Sequence, residues 1–541
     1  MTRFSVPICS RIGELTISTI TSPSNQTSIS WESQSWRKPV NRTSRHPVAA
    51  FARAGVVAAA VTLLASLAAS AWAASVPNPT VTGPIASPDT PGAPTHNYPF
   101  FASNHDLAAR GYVEEEYYFQ GTANRYTTPA SATGAVIDGG HPYLTRMLVR
   151  RPADPKKFNG TVWVEWLNVT NGFDADNQWF FSWEHILAAG YAWVGVSAQQ
   201  VGVARLQTWN PTRYGALNVN DSGAITGDAL SYDIFSQAGQ AIKHPVGVDP
   251  LSGLKVRHMI AIGESQSASR LATYVNSINP LANVYDGFVL LSTLGNQFRT
   301  DLTVPVWKIL TEFDVENSEA TVRQPDTAKF RTWEVAGTSH VDQHLRRSRE
   351  PLELRDFSTP TMASSSEAVL APQCAVPSIG TRVPTHYVVG QAYDLMVRWI
   401  TDGTPPPSAP RIEITTFGAP GRPSVITRNS LGLALGGIQL SELAVPTAVN
   451  VGVNSGPGAC VRWGYSVPFD VGTLDSLYLS HDDYVDQVIK VNRGNVRNGF
   501  IDAADARRSI IKAVYSDVGG SEGMQNRVGD FVDFAHDPDL R

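Results

Sequence analysis

Residues 256–268 read VRHMIAIGESQSA. An apolar run at 256–262 passes directly into Gly263-Glu264-Ser265-Gln266-Ser267, and a small-residue, helix-like stretch follows. The expected order is strand, tight turn, helix, with Ser265 at the apex. Such a turn lifts the hydroxyl out of the sheet edge. It also sets the next backbone N–H, that of Gln266, at a helix N-terminus where it can stabilise an oxyanion. Gly263 suits the close approach of strand and helix; Ser267 is slightly larger than the glycine usual there. As a bare string the segment would also serve as an ordinary strand-to-helix turn, so its meaning depends on its surroundings.

Outward from this turn, strand-like runs at 161–167, 191–197, 287–291, 304–310 and 331–335 alternate with helix-like stretches at 180–189, 231–242 and 268–276. Apolar, β-branched runs separated by helices predict an α/β fold: a mostly parallel central sheet covered by helices on both faces. Residues 112–119 and 143–150 read as antiparallel starting strands. Further on lie helix-like 391–401, 483–491 and 503–515 and strand-like 411–415, interrupted by the breaker run DGTPPPSAP at 402–410.

A serine nucleophile needs a base, and the base needs an orienting carboxylate. The strand at 304–310 leads into TEFDVE (311–316), and the one at 331–335 into AGTSHVDQH (336–344). His340 is therefore the candidate base and Asp314 the candidate acid, with Glu312 and Glu316 as alternatives. Asp342 is a candidate supporting group. All these residues follow strand ends, where open α/β sheets build their sites. A second oxyanion donor is expected from the loop NVTNG (168–172), at the backbone of Val169 or Thr170. Asn168 opens an N-V-T sequon, read as chance because that loop faces the site. Among the tryptophans, Trp179 and Trp209 are the candidates for lining a pocket, the others for filling a core. The sequence has no H-E-x-x-H and no glycine-rich nucleotide loop, so neither metal nor cofactor is expected.

The 541 residues include 43 Lys+Arg and 48 Asp+Glu, a net charge of −5 that gives no basis for nucleic-acid binding. GVVAAAVTLLASLAASAWA (55–73), preceded by Arg45 and Arg53 and ending in Ala-Trp-Ala, reads as a secretory signal peptide cleaved near Ala73. Residues 1–73 carry seven basic and two acidic residues, so the exported chain would have a net charge of −10. Neither anionic polymers nor stable membrane insertion is expected of it. Only Cys374 and Cys460 lie beyond that cleavage site, and one pair in an exported protein most simply forms one disulfide. The expected organisation is an extension and signal peptide (1–73), a Pro-rich leader laid over the surface (74–100), a core bearing the site (101–344) and a long C-terminal elaboration (345–541).

The chain resembles the α/β-hydrolase superfamily, and more closely a group of exported bacterial α/β-hydrolase domain proteins with a G-E-S-Q-S nucleophile turn. The matching stretches are GYVEEEYYFQGTANRY (111–126), VEWLNVT (164–170), GYAWVGVSAQQVGV (190–203), SYDIFSQAGQA (231–241), GESQSA (263–268), RTWEVAGTSHVD (331–342) and PFDVGTLDSLY (468–478). The resemblance implies a serine esterase triad of Ser265, an acid after the penultimate core strand, and His340. It implies no particular substrate. Export points to an extracellular ester, polymer-derived or aromatic. The same triad would serve an amidase or an acyltransferase, and a non-catalytic extracellular binding protein could reuse the scaffold.

Overall fold

The computed structural model describes residues 76–358, 374–377, 380–419 and 422–520. The signal-peptide segment lies outside them. Among the described residues the strands are β1 (Thr80–Thr82), β2 (Tyr112–Tyr126), β3 (Val136–Pro152), β4 (Thr161–Trp166), β5 (Ala192–Val196), β6 (Val246–Gly247), β7 (His258–Glu264), β8 (Gly287–Leu291), β9 (Val306–Thr311) and β10 (Phe330–Val335). They form a single sheet in the order β10-β9-β8-β7-β4-β5-β3-β2-β1-β6. The run from β10 to β5 is parallel throughout, and β3 and β2 add antiparallel strands beside it. Every residue of β4, β5, β8, β9 and β10 is buried, as expected where helices cover both faces.

The covering helices include α1 (Asn177–Ala189), α2 (Gln200–Trp209), α3 (Ser231–Lys243), α4 (Gln266–Thr273), α5 (Glu312–Asn317), α6 (Gln343–Phe357) and α7 (Thr385–Asp402). After β4 the chain crosses to β5 on one side and later returns as β7 on the other. This places a reversal of strand order next to the end of β4. Crevices at such reversals, outside the carboxyl ends of the strands, are where α/β sheets hold ligands.

Most of the described Pro-rich leader is exposed, but one short piece of it joins the sheet. Its Thr80–Thr82 is wedged into the sheet, antiparallel to β2 and parallel to β6. Tyr98 and Phe100 are fully buried. The C-terminal region is likewise knit into the core. Tyr393 of α7 stacks on Trp163 of β4 at 3.8 Å and donates to Gln178 Oε1. Ile438 bridges Val335 in parallel, and Trp333 Nε1 donates to Pro407 O. Cys374 and Cys460 form a disulfide. None of the described helices is long and apolar enough to cross a membrane.

Candidate active site

β7 extends two residues further than its apolar run suggests. Gly263 and Glu264 pair with Leu290 and Leu291 of β8, so the strand ends immediately before the serine. Ser265 then turns the chain with φ 58° and ψ −116°, and α4 starts at Gln266. A Cβ on Gly263 would stand 3.0 Å from the backbone of Ser267, a tight contact, so glycine suits the close packing of the helix. Ser267 makes itself useful in place of glycine: its hydroxyl donates to Glu264 O (2.9 Å) and accepts from Glu264 N (3.1 Å). The turn is thereby closed by a side chain.

The three residues expected to act together meet. Ser265 Oγ lies 2.7 Å from His340 Nε2, and His340 Nδ1 lies 2.9 Å from Asp314 Oδ1. All three are buried, with Ser265 the least so at 8% exposure. Asp314 sits in the first turn of α5, where its Oδ2 accepts from the N–H and hydroxyl of the N-cap residue Thr311 (2.8 and 2.7 Å). The other acids turn elsewhere. Glu312 accepts from Gly337 N and pairs with Arg428, while Asp342 caps α6 by accepting from Leu345 N. Burial disfavours a charged His340. The Asp314 hydrogen bond and the negative charges of Asp314 and Glu264 outweigh it and raise the imidazole above its ordinary pKa.

The loop after β4 is closed by paired hydrogen bonds between Asn168 and Ala175. Thr170 N–H is committed to Asn168 Oδ1 (2.8 Å), which corrects its assignment as a free donor. Val169 N–H has only a long contact, 3.5 Å, to Gln266 Oε1. Gln266 N–H is among the first amides of α4, which lack partners inside the helix. Asn168 is 2% exposed and its amide donates to Glu264, so it has no room for a glycan.

Glu264 was not singled out from the sequence, yet it touches the centre of the site. Its Oε1 lies 3.4 Å from His340 Nε2, and its Oε2 accepts from Asn177 (2.8 Å) and Asn168 (3.2 Å). Burial raises its pKa, opposed by the His340 charge and the Asn177 hydrogen bond. Asn177 is presented by the start of α1. The buried Glu165 of β4 anchors that start by accepting from Gln178 N and Trp179 N (2.8 and 3.0 Å).

A cavity of about 50 Å³ opens on Ser265 and His340. Its polar lining includes Asn168, Thr170, Asn171, Asn177, Arg349 and Arg462, with Val341, Leu345 and Trp463 supplying apolar wall. The expected tryptophans are absent from this lining. Trp179 packs on Trp193 and Arg150, and Trp209 on His96, Tyr98 and Phe100. Trp463 takes the position instead.

The alpha/beta hydrolase domain model matches residues 81–511, spanning both the strands and the C-terminal region. The chain belongs to the alpha/beta hydrolase domain family. Among curated proteins none matches it. Solved structures similar to this hydrolase include esterase Est22, 13% identical over 48% of this chain and 81% of that one, with a TM-score of 0.28. XC6422 from Xanthomonas campestris, described as an α/β serine hydrolase without lid, is 12% identical over 44% and 97%, with a TM-score of 0.25. An α/β serine hydrolase homologue from Coxiella burnetii is 11% identical over 40% and 93%, with a TM-score of 0.25. Likenesses this remote say nothing about which bond this hydrolase cleaves.

Proposed function

We propose that this hydrolase is exported and cleaves carboxylic esters through an acyl-enzyme on Ser265. The observation that carries the reading is the unbroken hydrogen-bonded run from Ser265 through His340 to Asp314. His340 Nε2 takes the Ser265 hydroxyl proton as Oγ attacks the ester carbonyl carbon. The carbonyl oxygen becomes an oxyanion facing the N–H groups of Gln266 and Val169. His340 returns the proton to the alcohol oxygen as the C–O bond breaks, leaving Ser265 acylated. A water then gives its proton to His340 and attacks the acyl carbon; the carboxylic acid leaves and the serine is restored. Asp314 keeps the imidazole in the tautomer that accepts at Nε2 and offsets the charge it acquires.

The disulfide supports an oxidising compartment, where such bonds persist. Trp463 in the cavity wall suits the aromatic or polymer-derived esters that an exported hydrolase would meet. The test is the initial rate of the purified protein on p-nitrophenyl, feruloyl, acetyl-sugar and methyl-uronate esters, with S265A alongside. Turnover that vanishes in S265A is the expected result. Silence on every ester, together with no fluorophosphonate labelling of Ser265, would overturn the reading.

A further inference from the structure

The cavity over Ser265 is lined by four groups that can carry charge: Glu264, His340, Arg349 and Arg462. Three of them have partners within the protein. Glu264 is held by Asn168 and Asn177 beside His340. Arg349 Nε donates to Glu353 (2.6 Å), its guanidinium lies 5.2 Å from the Phe173 ring centre, and the Asn171 carbonyl accepts from it. Arg462 differs. It is exposed, and among the described residues its guanidinium has no carboxylate, carbonyl or ring partner.

Its backbone, by contrast, is fixed. Val341, directly after His340, donates its N–H to Arg462 O (2.9 Å), and Arg462 N donates to Ala459 O (2.9 Å). Cys460, two residues earlier, is joined to Cys374. Trp463, the next residue, is buried with the Arg346 guanidinium 5.3 Å from its ring centre. An immobile base thus carries an uncommitted planar cation at a cavity that contains the nucleophile. A guanidinium fork matches a carboxylate in two parallel hydrogen bonds, better than it matches any neutral group.

We infer that the preferred substrates are esters carrying a free carboxylate near the scissile bond, such as monoesters of dicarboxylic acids, and that Arg462 receives that carboxylate. This rests on the hydrolase reading above and names its substrate class. The apolar wall at Leu345 and Trp463 would hold the uncharged part of such a molecule.

The experiment compares monomethyl succinate with dimethyl succinate, followed by proton NMR, for the wild type, R462Q and R462K. A wild-type kcat/KM about tenfold higher for the monoester, expressed mainly in KM, is expected for one well-formed charged pair. R462Q should abolish that ratio, R462K should restore part of it, and added salt should narrow it. Measurable but equal rates on the two esters in the wild type, or a ratio unchanged in R462Q, would overturn the inference. A second arm needs no turnover: calorimetry of monomethyl succinate binding to S265A and to S265A/R462Q. Binding that weakens in the double variant supports the anion site even if neither ester is hydrolysed, in which case the esterase reading alone fails. Equal binding to both, or binding to neither, overturns the site.

Discussion

Asp314 divides one carboxylate between two tasks: Oδ1 holds His340 and Oδ2 closes a capping box with Thr311. The acid is therefore oriented by the start of the helix that carries it. The cap that fixes the start of α5 thus also aims the carboxylate at the imidazole.

Replacing Asp314 with asparagine should lower kcat by about a thousandfold or more, because an amide can turn its N–H toward Nδ1 and favour the wrong imidazole tautomer. T311V leaves the carboxylate in place but removes its hydroxyl partner. It should cost about 1 kcal/mol of stability, read as a lower denaturation midpoint, and a much smaller loss of rate. Equal rate losses in the two variants would mean that Asp314 acts through α5 and not through His340.

Glu264 and Asp314 both raise the His340 pKa. Catalysis needs the neutral imidazole, so activity should rise with pH through this pKa, above the ordinary imidazole range. E264Q removes one of the two negative charges. The acid limb of the kcat/KM profile should then shift to lower pH. The carboxylate and imidazole titrate as a pair, so the shift belongs to the pair. An unmoved limb would show that Glu264 is protonated throughout and serves only to bind Asn168 and Asn177.

Burial raises the Asp342 carboxyl from the ordinary 3.8 to about 6, against hydrogen bonds that favour its ionised form. The folded state holds this proton more tightly than the unfolded chain. The corresponding stability is complete below about pH 4 and is lost as pH rises through 6. Asparagine at this position can still cap α6 but does not ionise. Relative to the wild type, D342N should gain stability between those pH values, measured as the change in urea midpoint at each pH. A constant difference across the range would contradict the assignment.

The Cys374–Cys460 bond closes a loop with a sequence separation of 86 and anchors the turn carrying Arg462 and Trp463. Its reduction should cost roughly 2–4 kcal/mol of stability, as expected for a long loop. It should also raise KM more than it lowers kcat, since Ser265, His340 and Asp314 all lie outside that turn. Kinetics with and without dithiothreitol, well below the melting temperature, separate the two effects.

The parallel core was legible because its strands are buried on both faces and read as unbroken apolar runs; β8 at Gly287–Leu291 has the bounds its pattern predicts. Ser265, Asp314 and His340 were legible because each follows such a run. The leader strand Thr80–Thr82 was not, since three residues among prolines carry no periodicity. α6 was hidden for a different reason. It contains Pro351, and its buried face includes Arg346, Arg349 and Glu353, so no apolar stripe marks it. Arg462 and Trp463 reach the site through a disulfide and a backbone hydrogen bond to Val341, long-range contacts that leave no local trace in sequence. Glu264 lay inside the decisive motif. Its significance came only from the asparagines that the β4 loop and α1 bring to it.

Ser265 occupies a backbone conformation that a residue with a Cβ adopts at a cost of about 1–3 kcal/mol. Glycine would sit there without strain. S265G should therefore melt later than the wild type while losing all chemistry, which sets resilience against reactivity at a single position. Screening variants of this protein for heat tolerance alone would favour inert molecules, and any such screen must be coupled to turnover.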